Sequence, residues 1–111
     1  MNNSKIDFFG KTCKTESQLE KAFKARCKAR GVLAYKFSSP YRRGVPDALF
    51  INKQGAVVFV EFKNPNDGTQ LSKLQQIEIR KMLEQGANVF VAYDANHAET
   101  IFSLMEKVPN A

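Results

Sequence analysis

The sequence predicts an α/β fold, a mixed β-sheet flanked by helices in the order α-β-β-β-α-β-α. Three observations carry that prediction. Apolar residues recur at helical spacing between Glu16 and Gly31. Residues 47–63 read as two strands closed by a glycine-containing turn, and a helix, a strand and a further helix follow them. With 111 residues and no Gly/Ser linker, repeat or low-complexity tract, residues 1–111 are expected to form one domain.

The elements follow in order. Residues 1–14 carry Phe8 and Phe9 among Lys and Asn and show no dependable period. The first helix should start near Glu16, with Thr15 and Gln18 in capping-box positions, and stop at Gly31. Its apolar members Leu19, Ala22, Phe23 and Cys27 fall on one stripe. Residues 32–37 read as a strand, followed by the basic loop Ser38-Ser39-Pro40-Tyr41-Arg42-Arg43-Gly44. The hairpin at 47–63 comes next, and its second strand is apolar on both faces, as a central strand should be. Residues 64–68 must be a loop. A second helix is expected over about 71–85, with Leu71, Leu74, Ile79, Met82 and Leu83 as its buried arc. A strand at 88–93 and a helix from about 96 to 107 complete the order.

Composition narrows the partners. Lys and Arg total 17 against 11 Asp and Glu, and the sequence pI is near 9.5. That balance favours a polyanion, nucleic acid first. Cys13 and Cys27 offer neither a disulfide framework nor metal-ligand spacing, which points to a reducing interior. The polar start Met1-Asn2-Asn3-Ser4-Lys5 lacks the apolar core of a signal peptide, and no apolar run approaches a membrane span. The expectation is a soluble, cytoplasmic protein.

Two carboxylates and an ammonium stand out in the hairpin. Strand side chains alternate, so Glu61 and Lys63 share a face. A three-residue loop Lys53-Gln54-Gly55, with Gly55 left-handed, would pair Asn52 with Ala56 and set Asp47 opposite Glu61. Their Cβ atoms would then be roughly 4.5–5.5 Å apart, near enough for both to bind one cation. A two-residue loop would set Asp47 opposite Val60, and a four-residue loop would set it opposite Phe62. Either slip sends the two acids to opposite faces. The plainer reading is an ion pair with Lys63, or Asp47 closing a turn after Pro46.

Other polar residues fall on apolar faces. Glu16 lies between Phe23 and Cys27 on the helical wheel, and Glu20 lies at the stripe's edge. Either is costly there unless paired or metal-linked, although first-turn acids such as Glu16 also suit the helix dipole. Gln75 projects from the buried arc of the second helix, while Gln76 falls just outside. Ser72-Lys73-Leu74-Gln75 is itself a capping-box pattern, so capping and a site role compete for one amide. Tyr41, Arg42 and Arg43, with Lys36 and Ser38 beside them, are candidates to grip phosphates near Asp47. His97, the sole histidine, reads as helix-end structure.

Gly44-Val45-Pro46-Asp47, then Val60-Glu61-Phe62-Lys63, then Leu71-Ser72 and Gln75, ending at Gly86, resembles the VRR-NUC family. These are virus-type replication and repair nucleases of the PD-(D/E)XK superfamily, with a restriction-endonuclease-like fold. The resemblance spans roughly residues 16–93. It implies that Asp47 and Glu61 are metal-binding acids, with the Phe62 carbonyl a third ligand. Lys63 becomes the catalytic lysine and Gln75 the helix glutamine. For the first helix the wheel prefers Glu16, whereas similar junction resolvases carry a deeper glutamate, matching Glu20. Both stay open.

The resemblance thus implies a Mg²⁺- or Mn²⁺-dependent DNA endonuclease resolving four-way (Holliday) junctions, as a homodimer of phage or bacterial source. Phe8, Phe9, Ile77 and Phe102 are candidates for the dimer surface, or for completing the core. The main alternative is a DNA-binding module whose acid cluster is structural. A metal-independent RNA nuclease is weaker, with one histidine and no second acid-base candidate.

Overall fold

The structure is a computed structural model, and it describes residues 15–63 and 70–110. Its elements are α1 (Glu16–Arg30), β1 (Leu33–Lys36), β2 (Ala48–Ile51), β3 (Val57–Phe62), α2 (Lys73–Glu84), β4 (Asn88–Ala92) and α3 (Ala95–Lys107). The sheet runs β1-β2-β3-β4. The first two pairings are antiparallel and β3–β4 is parallel, so α2 is the crossover that a parallel pair requires. The predicted order holds, with ends shifted by one or two residues.

Local chemistry accounts for the helix limits. Thr15 Oγ1 accepts from the Gln18 amide at 3.1 Å, satisfying one orphan N–H of α1. Gly31, at φ 77°, closes the helix in the left-handed region, and the Val32 amide then reaches back to the Cys27 carbonyl at 2.8 Å. Asp94 caps α3 by accepting from the His97 amide at 2.8 Å. The His97 ring stacks on Tyr93, in keeping with its helix-end reading.

The core lies between one sheet face and the pair α1 and α3. Leu19, Ala22, Phe23 and Cys27 of α1 are buried against Ala48, Phe50, Val58, Val60 and Phe62. Phe23 is its hub, with edge-on ring contacts at 5.1 Å to Phe50, 5.3 Å to Phe62 and 5.5 Å to Phe102. Burial pushes the Cys27 thiol up to about 12, which leaves it protonated and unreactive. Cys13, Phe8 and Phe9 lie outside the described residues, as does the loop at 64–68.

One reading of apolar residues is decided and another needs correction. Phe102 is only 3% exposed and belongs to the core, not to a surface shared with another copy. On α2 just one residue, Ile79, is buried, while Leu74 and Leu83 stay half exposed. This helix stands over the opposite sheet face, which bears Glu61. Among the described residues no further layer covers its outer side, so a wheel that only counts apolar residues overstates its burial.

The hairpin turn is the three-residue form. The Asn52 amide donates to the Ala56 carbonyl at 3.1 Å, and Gly55 is left-handed at φ 84°. Asn52 is buried, and its side chain makes four hydrogen bonds. Its Oδ1 accepts from the Gln54 and Ala56 amides at 2.9 and 3.0 Å. Its Nδ2 donates to the Met105 and Val108 carbonyls, both at 2.9 Å. One amide therefore closes the turn and ties it to the end of α3. Ala48 pairs with Val60, and continuing the ladder by one residue sets Asp47 across from Glu61.

Candidate active site

Glu61 and Lys63 leave the end of β3 on the α2 side of the sheet, only 9% and 8% exposed. Two charges there need partners. Lys63 Nζ lies 3.7 Å from Glu61 Oε2 and donates to Gln75 Oε1 at 2.8 Å. Gln75 Nε2 donates in turn to Glu61 Oε2 at 3.1 Å. The amide bridges the pair and matches each charge with the complementary end of its own dipole.

Gln75 also caps its helix. Its Oε1 accepts from the Ser72 amide at 2.9 Å, and the Gln75 amide donates to Ser72 Oγ at 3.1 Å. A carbonyl oxygen has two acceptor directions, so the two roles that compete on a wheel are both filled by one side chain. The capping box thereby fixes the rotamer that presents Gln75 to Lys63. Gln76 is turned elsewhere, donating to the Leu71 carbonyl at 3.0 Å.

Glu61 titrates unusually high. Burial pushes its carboxyl up to about 7, Lys63 pulls it down, and the charges of Asp47, Glu16 and Glu20 push it further up. Four carboxylates therefore share one field, with Lys63 beside Glu61. Both first-helix acids act on Glu61, and Glu20 is held by Lys24 at 2.8 Å. Asp47 is more open and lies 3.6 Å from Lys36 Nζ. Among the described residues, no group of three or more His, Cys, Asp or Glu side chains is clustered to hold a metal ion. A hard cation of the Mg²⁺ type needs less, one or two carboxylates plus waters. The oxygen donors of Asp47 and Glu61, with excess negative charge around them, fit such an ion.

The basic loop is fixed to α2 at two points. Gly44 has φ 87° and packs so tightly that a Cβ there would sit 2.5 Å from the Leu74 carbonyl oxygen. The Arg42 Nε lies 3.2 Å from Glu78 Oε2, so Arg42 is clamped by a nearly buried carboxylate. Tyr41 is 96% exposed, and Ser38 and Arg43 are also open to solvent. The Phe62 side chain is buried in the core, which anchors the backbone between Glu61 and Lys63.

Sequence reasoning overlooked Asn52 and Glu78. For Asn52 a signal exists: an Asn three residues before a hairpin glycine can bond its own turn. Glu78, one turn beyond Gln75 on α2, carries no such local signal.

Comparisons with known proteins agree with this geometry. A family profile described as "VRR-NUC domain" matches residues 7–96. The chain is 38% identical over 76 residues to "Putative nuclease p44" of Acyrthosiphon pisum secondary endosymbiont phage 1, covering 68% of this chain and 80% of that protein. It is also similar to a solved structure described as "VRR_NUC domain". The TM-score is 0.73 and the identity 33%, over 83% of this chain and 97% of that one.

Proposed function

The chain belongs to the VRR-NUC nuclease family, and from that premise we propose a Mg²⁺- or Mn²⁺-dependent DNA endonuclease that cuts branched DNA, four-way junctions above all. The observation that carries the reading is the Glu61–Gln75–Lys63 network opposite Asp47. In this proposal Asp47, Glu61 and the Phe62 carbonyl hold the cation. Once bound, it supplies Lewis-acid polarisation of the scissile phosphate and a more acidic attacking water. Lys63 offsets negative charge on the phosphoryl oxygens, and Gln75 keeps its ammonium in place. Glu16 or Glu20 serves a second ion or orders water. Lys36, Ser38, Tyr41, Arg42 and Arg43 hold the flanking phosphates.

Symmetric incision of a junction calls for two sites related as the junction arms are, hence a two-fold dimer. Ile77 remains a candidate for the shared surface, being half exposed on α2 beside Leu74. Sedimentation at micromolar concentration should then report about twice the chain mass, as a two-fold dimer requires.

The test of activity is direct. Purified protein is incubated with labelled four-way junction, flap and duplex DNA, in Mg²⁺, Mn²⁺ or EDTA. Cleavage with either metal and none with EDTA supports the proposal. Tight binding without cleavage at any metal concentration would favour the non-catalytic module instead.

A further inference from the structure

Two adjoining clefts run along α1 on the side of the edge strand β1. One, of about 340 Å³, is lined by Ser17, Glu20, Lys21, Lys24 and Lys36. The other, of about 440 Å³, is lined by Lys24, Lys28, Gly31, Val32, Leu33 and Ala34. Lys24 belongs to both, so they form one groove. At helical spacing Lys21, Lys24 and Lys28 fall within an arc of about 60°. Lys24 is balanced by Glu20 and Lys36 by Asp47, whereas Lys21 and Lys28 make no ion pair among the described residues. The groove therefore includes one of the candidate site's carboxylates, Glu20, borders a second, Asp47, through Lys36, and carries net positive charge. Lys21 and Lys28 are not accounted for by the site itself.

We propose that the α1/β1 groove seats the phosphate backbone of the DNA strand as it leaves the carboxylate cluster, with Lys21, Lys24 and Lys28 neutralising successive phosphates. The inference rests on the nuclease reading above and adds the path of the strand. Seven residues of helix advance about 10.5 Å, so the lysine row can meet about two to three consecutive phosphates of a strand laid along it. The apolar floor of Leu33 and Ala34 suits sugar contact, and β1 as an edge strand leaves the groove open along its length.

The experiment is the salt dependence of DNA binding, read by fluorescence anisotropy in EDTA so that no strand is cut. Wild type is compared with K21A/K24A/K28A and with K73A/R80A/K107A, a charge-matched control on α2 and α3. The groove variant should lower the slope of log K against log salt by about 2–3, the control by less than about 1. Equal losses in both variants, or an unchanged slope in the groove variant, would overturn the groove while leaving the nuclease reading intact. Wild-type protein that binds no DNA at any salt would overturn both. If the triple variant loses its fold, K21E/K28E, at two exposed positions, should show the same loss of slope, and an unchanged slope there counts against the groove.

Discussion

Lys63 donates its ammonium to the side-chain oxygen of Gln75 at 2.8 Å, across the gap between the end of β3 and the first turn of α2. The contact joins a strand-end charge to a helix whose position is set by its own cap. The expected consequence is that Gln75 acts on chemistry through Lys63 and Glu61. Gln75→Ala should cut the cleavage rate by about 10–100-fold, as loss of a 1.5–3 kcal/mol charge-assisted hydrogen bond implies, and lower thermal stability as well. Gln75→Glu keeps the acceptor for Lys63 but sets a second carboxylate against Glu61, so above neutral pH it should be no more stable than Gln75→Ala, and its activity should stay low. Single-turnover cleavage and thermal melts of the two variants check this.

Gly44 is expected to tolerate no side chain. A Cβ at 2.5 Å from the Leu74 oxygen would push the loop off α2 and carry Asp47 with it. Gly44→Ala should cost about 1–3 kcal/mol through strain at positive φ and displacement together. Urea unfolding gives the stability, and cleavage should fall by more than the folded fraction alone explains.

Asn52 sits far from the acids yet sets their register. Asn52→Ala leaves the buried amide of Ala56 without an acceptor and frees the turn from α3, at an expected cost of about 2–4 kcal/mol. Asn52→Asp keeps the two acceptor bonds but sets a carboxylate against the Met105 and Val108 carbonyls, and should be no better. Denaturant midpoints decide, and a neutral Asn52→Ala would show that Gly55 alone holds the turn.

Glu61 gives a pH prediction. Its carboxyl ionises near 4.5 in an unfolded chain and near 7 in the fold. The folded, metal-free protein keeps that proton longer, so this group's stabilising contribution is complete below about pH 4.5 and is lost as pH rises through about 7. Glu61→Gln should therefore be about 1–3 kcal/mol more stable than wild type at pH 8 in EDTA, and similar at pH 4. It should also be inactive. Melting curves at the two pH values test the sign.

Much of this was legible in the chain. Gly55 pointed to the three-residue turn, and residue counting then fixed Asp47 against Glu61. The α1 stripe from Leu19 to Cys27 was a matter of period alone. What sequence could not show depends on what lies across each face. Leu74 and Leu83 stay half exposed because, among the described residues, no layer covers the outer side of α2. Phe102 fills the space beside Phe23 rather than a surface. The competition over Gln75 dissolved because one carbonyl oxygen accepts twice, a geometric fact that no wheel contains. Glu78 meets Arg42 only because the loop folds back onto α2.

The measurement closest to the central claim is an anomalous map from crystals soaked in Mn²⁺. The account predicts one peak in contact with carboxylate oxygens of both Asp47 and Glu61, lost in the Asp47→Ala and Glu61→Ala variants. Side chains of Asp47 and Glu61 pointing to opposite faces of the sheet, or a peak bound to neither, would contradict it.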